Sequence, residues 1–193
     1  MPKISDEHRN RRQQQILDGA RRSFAQNGFE RTTIRQLESA TGLSSGAIFN
    51  YYASKLDIFI ALAAQDAQRM AEFWRAGGMF GLVQGAKAHR AEMSASYLEL
   101  GRRIWSDPNF REKWQTRGEP LVDAIREGLT AAAEHGSARS DVPVESLVDY
   151  TLVVLDGLML HVRLGLVGDE LTTVLDLYDT TIAGPPSSHP NAR

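Results

Sequence analysis

The sequence predicts an all-α protein in two parts: an N-terminal three-helix helix-turn-helix domain and a larger C-terminal helical domain. Apolar residues recur three and four positions apart along most of the 193-residue chain, and no stretch alternates with period two for long enough to make a strand. Charge divides the chain in the same place. Residues 1–55 hold nine basic residues against five acidic ones, a net +4 that leaves −6 for the remainder. A basic head on an acidic body suits a protein that offers one end to phosphate.

Residues 1–12 are polar and read as a mobile arm, in which Arg9, Arg11 and Arg12 could meet a phosphate backbone or a minor groove. From Gln13 to Gln26 the residues Ile16, Leu17, Ala20 and Phe24 lie on one helical face, and Asn27-Gly28 ends that helix. Phe29 follows as an anchor. From Thr33 to Ala40, Ile34 and Leu37 share a face; Gly42 stops the helix and Leu43 plugs the corner. Ser44 caps a second short helix, Ser45 to about Tyr51, and Ser54 caps a third. Two helices joined by a short glycine-containing turn make a helix-turn-helix, whose second helix enters the major groove.

The helix beginning at Ser54 runs to about Arg75, where Gly77-Gly78 breaks it, and its passage out of the head makes it a candidate lever. Helical patterns continue over 79–88, 91–105, through Phe110 and Trp114 after the Asp107-Pro108 cap, and over 119–134. The last two, 144–166 and 169–183, carry more apolar surface than one small bundle needs to hide, which pairing with a second copy would cover. The expected domains are therefore 1–53 (DNA binding), 54–183 (effector binding and dimerisation, with helix 54–75 linking the two) and a disordered tail, 184–193.

Catalysis has no visible apparatus, and neither catalytic nor metal-ligating residues are assigned. Gly42-Leu43-Ser44-Ser45-Gly46 matches the G-x-S-x-G of a nucleophile elbow, but that elbow needs a buried strand before the serine, and a helical pattern stands there. The five histidines never pair at metal-binding spacing, and there is no cysteine. No run approaches the roughly 18 apolar residues of a membrane span, and no signal peptide is apparent, so a cytoplasmic location is expected.

In the head, each residue type fits a contact with double-stranded DNA. Thr33 opens the first helix of the motif, where its hydroxyl and free N–H groups suit a phosphate, and Arg35, facing away from Ile34 and Leu37, suits guanine. Ser44 caps the second helix. Opposite Ile48 that helix presents Ser45, Gly46, Ala47, Asn50 and Tyr51: the small pair lets the helix sit deep, Ala47 suits a thymine methyl and Asn50 an adenine. Lys55 is placed as a phosphate clamp.

The run Gly28…Thr33-Ile34…Leu37…Gly42-Leu43-Ser44…Gly46-Ala47-Ile48-Phe49…Tyr51-Tyr52…Ser54-Lys55…Asp57…Phe59 resembles the TetR family of bacterial transcriptional regulators across the whole head. The resemblance implies a homodimer of subunits with about nine helices each, an effector pocket in the C-terminal helices, and a four-helix interface from the last two. It implies phosphate contacts for Thr33, Phe49, Tyr51 and Lys55, and base contacts for Arg35, Ser45, Ala47 and Asn50. Two residues depart from the pattern: Phe49 replaces a tyrosine, and Glu38 stands where a small residue is typical. Within the family, SSGAIFNYY, RRIWSDPNFREKW and DVPVESL look most like the aconitase repressors, which implies a tricarboxylate such as citrate, with Mg²⁺, as effector and no required cofactor.

For the effector pocket the sequence nominates polar residues that interrupt core-like faces: Asp66 and Arg69 on the lever helix, Tyr97, Glu99, Arg102 and Arg103 in the middle of the chain, and Asp156, His161 and Arg163 in the apolar helix. Arg102 and Arg103 suit an anionic ligand. A ligand-responsive repressor released from a palindromic operator by its effector is the function expected. A small-molecule-binding helical protein or enzyme with a vestigial head is the alternative that the sequence leaves open.

Overall fold

In the computed structural model, which describes residues 6–88, 101–164 and 171–184, every regular element is helical. They are α1 (Asp6–Asn27), α2 (Ile34–Thr41), α3 (Ser45–Phe49), α4 (Lys55–Ala88), α5 (Gly101–Ser106), α6 (Pro108–Thr116), α7 (Glu119–Glu134), α8 (Val144–Leu164) and α9 (Leu171–Ala183). The expected tail, except for its first residue, and residues 89–100 and 165–170 lie outside the described residues.

Helix α1 begins earlier than its apolar stripe. Residues 6–12 are its first turns and not a mobile arm: Asp6 and Glu7 complement the positive end of the helix dipole, Glu7 pairs with Arg11 at 3.9 Å, and Arg12 donates to Gln15 at 2.9 Å. Gly28, at φ 77°, closes the other end with its N–H on the Phe24 carbonyl, 2.9 Å away.

Helix α4 is interrupted where the two glycines predicted a break. Gly78 takes φ 56° and ψ −142°, a region open to glycine alone, and the chain turns. The segment after the turn lies so close to the one before it that a Cβ on Gly85 would run into the Phe73 ring, and one on Gly81 into the Phe73 carbonyl. Glycines four residues apart make that approach sterically possible.

The described chain packs as two units. The first joins Met1–Arg69 to His89–Glu119; the second joins Met70–Ala88 to Pro120–Arg193. This division differs from a cut after residue 53. The first unit's core contains Ile16, Leu17, Ala20, Phe24, Phe29, Leu37 and Ile48, and it also takes Ile58, Phe59 and Leu62 from α4 and Phe110 from α6. Three helices of about fifty residues enclose too little apolar volume, and the start of α4 with α6 completes it.

Aromatic contacts show how. The rings of Phe24, Phe29 and Phe59 sit 5.4–5.7 Å apart, two of the three pairs edge to face, and Trp114 stacks on Phe59 at 6.2 Å and 7°. Phe110 and Trp114 thus serve as core, as their spacing on a short amphipathic helix suggests. In the second unit the buried residues include Trp74, Leu82 and Val83 from α4, Ile125 and Leu129 from α7, Leu155 from α8, and Leu175 and Tyr178 from α9. The Tyr178 hydroxyl meets that of Thr151 at 2.8 Å, and burial pushes its pKa up to about 12.

Candidate nucleic-acid interface

Helix α2 is held against α1 by one strip of α1 residues. At Gly19 an added Cβ would lie 2.5 Å from Thr41 Cγ2 and 2.9 Å from the Ala40 carbonyl oxygen, so the backbones meet there. One turn on either side, Gln15 donates to the Thr41 carbonyl at 2.8 Å and Arg22 to the Ala40 carbonyl at 2.7 Å. These side chains satisfy carbonyls that the end of α2 leaves without helical partners, and Arg22 places a cation at its negative end. Spacing in the sequence marked this side of α1 as amphipathic; nothing in it identified Gln15 and Arg22 as caps.

At the start of α2, Thr33 and Gln36 form a capping box. The Gln36 side chain accepts the Thr33 N–H at 2.8 Å, and the Thr33 hydroxyl oxygen accepts the Gln36 N–H at 3.3 Å. The Thr33 hydroxyl also donates to Gln36 Oε1 at 3.0 Å, so both of its donors, expected on a phosphate, are committed within the cap. Gly42 (φ 69°) ends α2 with its N–H on the Glu38 carbonyl, and the Thr41 hydroxyl bridges the corner from the Leu37 carbonyl to the Leu43 N–H. Ser44 opens α3 by accepting the Ala47 N–H at 3.3 Å, and Ser45 donates its N–H to the Glu38 carboxylate at 2.6 Å.

These contacts leave a face. Leu37 and Ile48 are buried, with Ile34, Leu43 and Tyr51 packed partly against the same core, while Arg35, Ser44, Gly46, Phe49 and Asn50 are exposed and Ser45 and Ala47 half-buried. The Arg35 and Asn50 side chains make no hydrogen bond among the described residues, so their donors are available. Nothing lies within 4 Å of where a Gly46 Cβ would point. Phe49 presents 38% of its surface, apolar where the family resemblance puts a phenol.

Lys55 does not face outward as a clamp. Its ammonium donates to the carbonyls of Phe29 (2.7 Å), Thr32 (2.9 Å) and Glu30 (3.2 Å) and lies 4.5 Å from the Phe29 ring centroid. An ammonium has three protons, and these three carbonyls account for them. Lys55 is therefore a strut between the first turn of α4 and the loop before α2. Spacing alone could not show this, because the carbonyls it grips belong to backbone more than twenty residues away.

Of the nominated pocket residues, the structure describes the side chains of Asp66, Arg69, Asp156 and His161. Asp66 is buried in the first unit and paired with Arg21 at 2.7 Å, which fastens α4 to α1. Arg69 is half-buried at the end of that unit; Asp156 and His161 are exposed on α8, His161 against the Gly157 carbonyl at 2.9 Å. Tyr97 and Glu99, with the side chains of Arg102, Arg103 and Arg163, lie outside the described residues.

The second unit has an open, mostly apolar cleft of about 470 Å³ between α4 and α7. Trp74, Ala124 and Leu129 line it, and Arg75 pairs with Glu127 at 3.4 Å across its lining. A Cβ on Gly128 would lie 2.8 Å from the Trp74 indole nitrogen, so glycine there keeps the ring in place. Among the described residues no three His, Asp or Glu side chains come together to hold a metal ion. No helix among them is long and apolar enough to cross a membrane.

Residues 16–62 match the model of the bacterial regulatory proteins of the tetR family. Over 184 residues the chain is 39% identical to the HTH-type transcriptional repressor AcnR of Corynebacterium diphtheriae, covering 94% of this chain and 97% of that protein. It is 38% identical to the HTH-type transcriptional repressor Rv1474c of Mycobacterium tuberculosis, covering 94% and 98%. Among solved structures, Salmonella enterica GusR has the same fold, with a TM-score of 0.72 at 20% identity over 93% of this chain and 97% of that one. With full-length likeness to repressors and a braced helix-turn-helix that leaves Arg35 and Asn50 available, the chain belongs to the tetR family of bacterial regulatory proteins and is a transcriptional regulator, not an enzyme.

Proposed function

We propose that the protein is a homodimeric repressor that reads a two-fold symmetric operator through α2 and α3 and releases it when a small molecule binds among the C-terminal helices. The observation that carries the reading is the face of α2 and α3. Arg35 and Asn50, the residue types suited to guanine and adenine edges, stand exposed around the small Gly46 and Ala47, with no side-chain partners among the described residues. Base contacts are assigned to Arg35, Ser45, Ala47 and Asn50, with Ser44 and Tyr51 nearer the backbone. A protein with this task works in the cytoplasm.

Dimerisation is assigned to α8 and α9. Tyr150, Val153 and Leu160 are exposed on α8 at positions that share a helical face with Gly157, and Val153 presents 72% of its surface. On α9, Val174 and Leu177 are exposed, Leu177 by 63%. An apolar row of this kind on two successive helices suits a self-complementary interface, and two-fold pairing carries two heads to two half-sites.

The effector is assigned as a small carboxylate of the tricarboxylate class. Support comes from the sequence resemblance to the aconitase repressors and from Arg102 and Arg103 on α5. Mg²⁺ would enter with the ligand, bridging its carboxylates. Effector acts only through a difference in affinity between the DNA-binding and released states. Sequence selection from random duplexes on the purified protein, with and without citrate and Mg²⁺, tests the reading: an enriched palindrome lost on adding citrate is the expected result. Failure to enrich any sequence would overturn the DNA assignment, and enrichment indifferent to citrate would overturn the effector alone.

A further inference from the structure

Glu38 departs from the family's common pattern, and the structure gives it a task. It lies on α2 and grips the turn at both ends. Its backbone carbonyl accepts the Gly42 N–H at 2.8 Å, closing α2, and its carboxylate Oε1 accepts the Ser45 N–H at 2.6 Å, the first residue of α3. The second bond is a short charge-assisted one, and the donor would otherwise be one of the four N–H groups that a helix start leaves without partners. Glu38 is half-buried, and no cation pairs with it among the described residues.

Helix α3 has few other constraints. It is five residues long, only Ile48 of it is fully buried, and the Ser44 cap reaches a different N–H, that of Ala47, at 3.3 Å. A helix this short cannot fix its own direction by propagation. The Glu38 bond runs from one helix of the pair to the other, so its length sets where the start of α3 lies relative to α2.

We propose that Glu38 is a specificity-determining positioning residue: through the Ser45 N–H its carboxylate fixes the entry of α3, and with it the register in which Ser45, Ala47 and Asn50 meet base edges. Glu38 itself need not touch DNA. The inference rests on the DNA-reading assignment above. Its chemistry makes an unusual forecast, that acceptor reach matters more than charge. Glutamine places a neutral acceptor oxygen at the same reach; aspartate keeps the charge one methylene short of it.

The test uses the full chain. Selection on the parent protein defines the operator, and fluorescence anisotropy then gives affinities for operator and scrambled duplexes of equal length. Glu38→Asp and Glu38→Ala should lower the operator-to-scrambled ratio about tenfold or more, with affinity for scrambled DNA unchanged, while Glu38→Gln should stay within about threefold of the parent. Far-UV circular dichroism checks that each variant is folded. If Glu38→Ala proves unfolded, the aspartate and glutamine variants still decide. A ratio unchanged in Glu38→Asp, a glutamine variant that falls as far as the aspartate one, or equal losses on both duplexes would each overturn the positioning role while leaving the DNA reading intact. A parent protein that enriches no sequence would overturn both.

Discussion

At the scale of single residues, two basic side chains with similar prospects in the sequence have separate fates. Arg35 stays exposed, with no partner among the described residues, so Arg35→Ala should relax discrimination at one base pair, costing about 1–3 kcal/mol on the operator and little on scrambled DNA, as read from paired affinity measurements. Lys55 grips three carbonyls, so Lys55→Met should act first on stability, by about 1–3 kcal/mol in denaturant unfolding, because buried or half-buried acceptors lose their donor. Helical phase alone made the exposure of Arg35 legible in the sequence. It could not reveal Lys55, Asp66 or Glu38, whose partners are set by tertiary approach: carbonyls of the 29–32 loop, the Arg21 guanidinium and the Ser45 amide.

Asp57 shows how such a contact responds to pH. The Lys113 ammonium that hydrogen-bonds it at 2.8 Å holds its carboxyl below the ordinary value of 3.8, opposed by partial burial and helped by the Ser54 hydroxyl. A lowered folded value means that the contribution is whole above the ordinary value and lost as pH falls through the lower one. Acid unfolding followed by circular dichroism should therefore steepen below about pH 4 in the parent, and Asp57→Asn should flatten that limb.

At the scale of elements, period and punctuation located most helices. The Asn27-Gly28 stop, the Gly42 turn, the Ser44 and Asp107 caps and the Gly77-Gly78 break all stand where the sequence placed them, because each is decided by backbone conformation within a few residues. The start of α1 was hidden for the opposite reason: its first turns bury nothing, and exposed charge pairs leave no apolar period to read. What the period could not show was how near two helices come. At Gly19 the backbones of α1 and α2 leave no room for a Cβ, and Gly19→Ala should force the pair apart, costing about 1–3 kcal/mol in stability and weakening operator binding with it.

At the scale of the whole molecule, the apolar row on α8 and α9 should decide assembly. Val153→Asp with Leu177→Asp should yield monomers by sedimentation and remove most operator affinity, since each half-site then binds alone. The surplus of apolar surface on these helices was visible in the sequence because composition counts it without regard to partners. The packing division was not, since it joins pieces far apart in the chain. Residues 101–116 help to complete the first unit, with Phe110 in its core, Trp114 on Phe59 and Lys113 on Asp57.

That joining bears on how such regulators can be recombined. A chimera that takes residues 1–53 from one relative and the remainder from another would set Phe24 and Phe29 against a foreign α4 and α6, and ask unmatched rings to fill one cavity. Exchange as a single contiguous cassette should give poorly expressed, loosely packed hybrids. Transplanting 1–69 together with 101–119, two segments inherited as a matched pair, should give hybrids that keep the donor's operator choice.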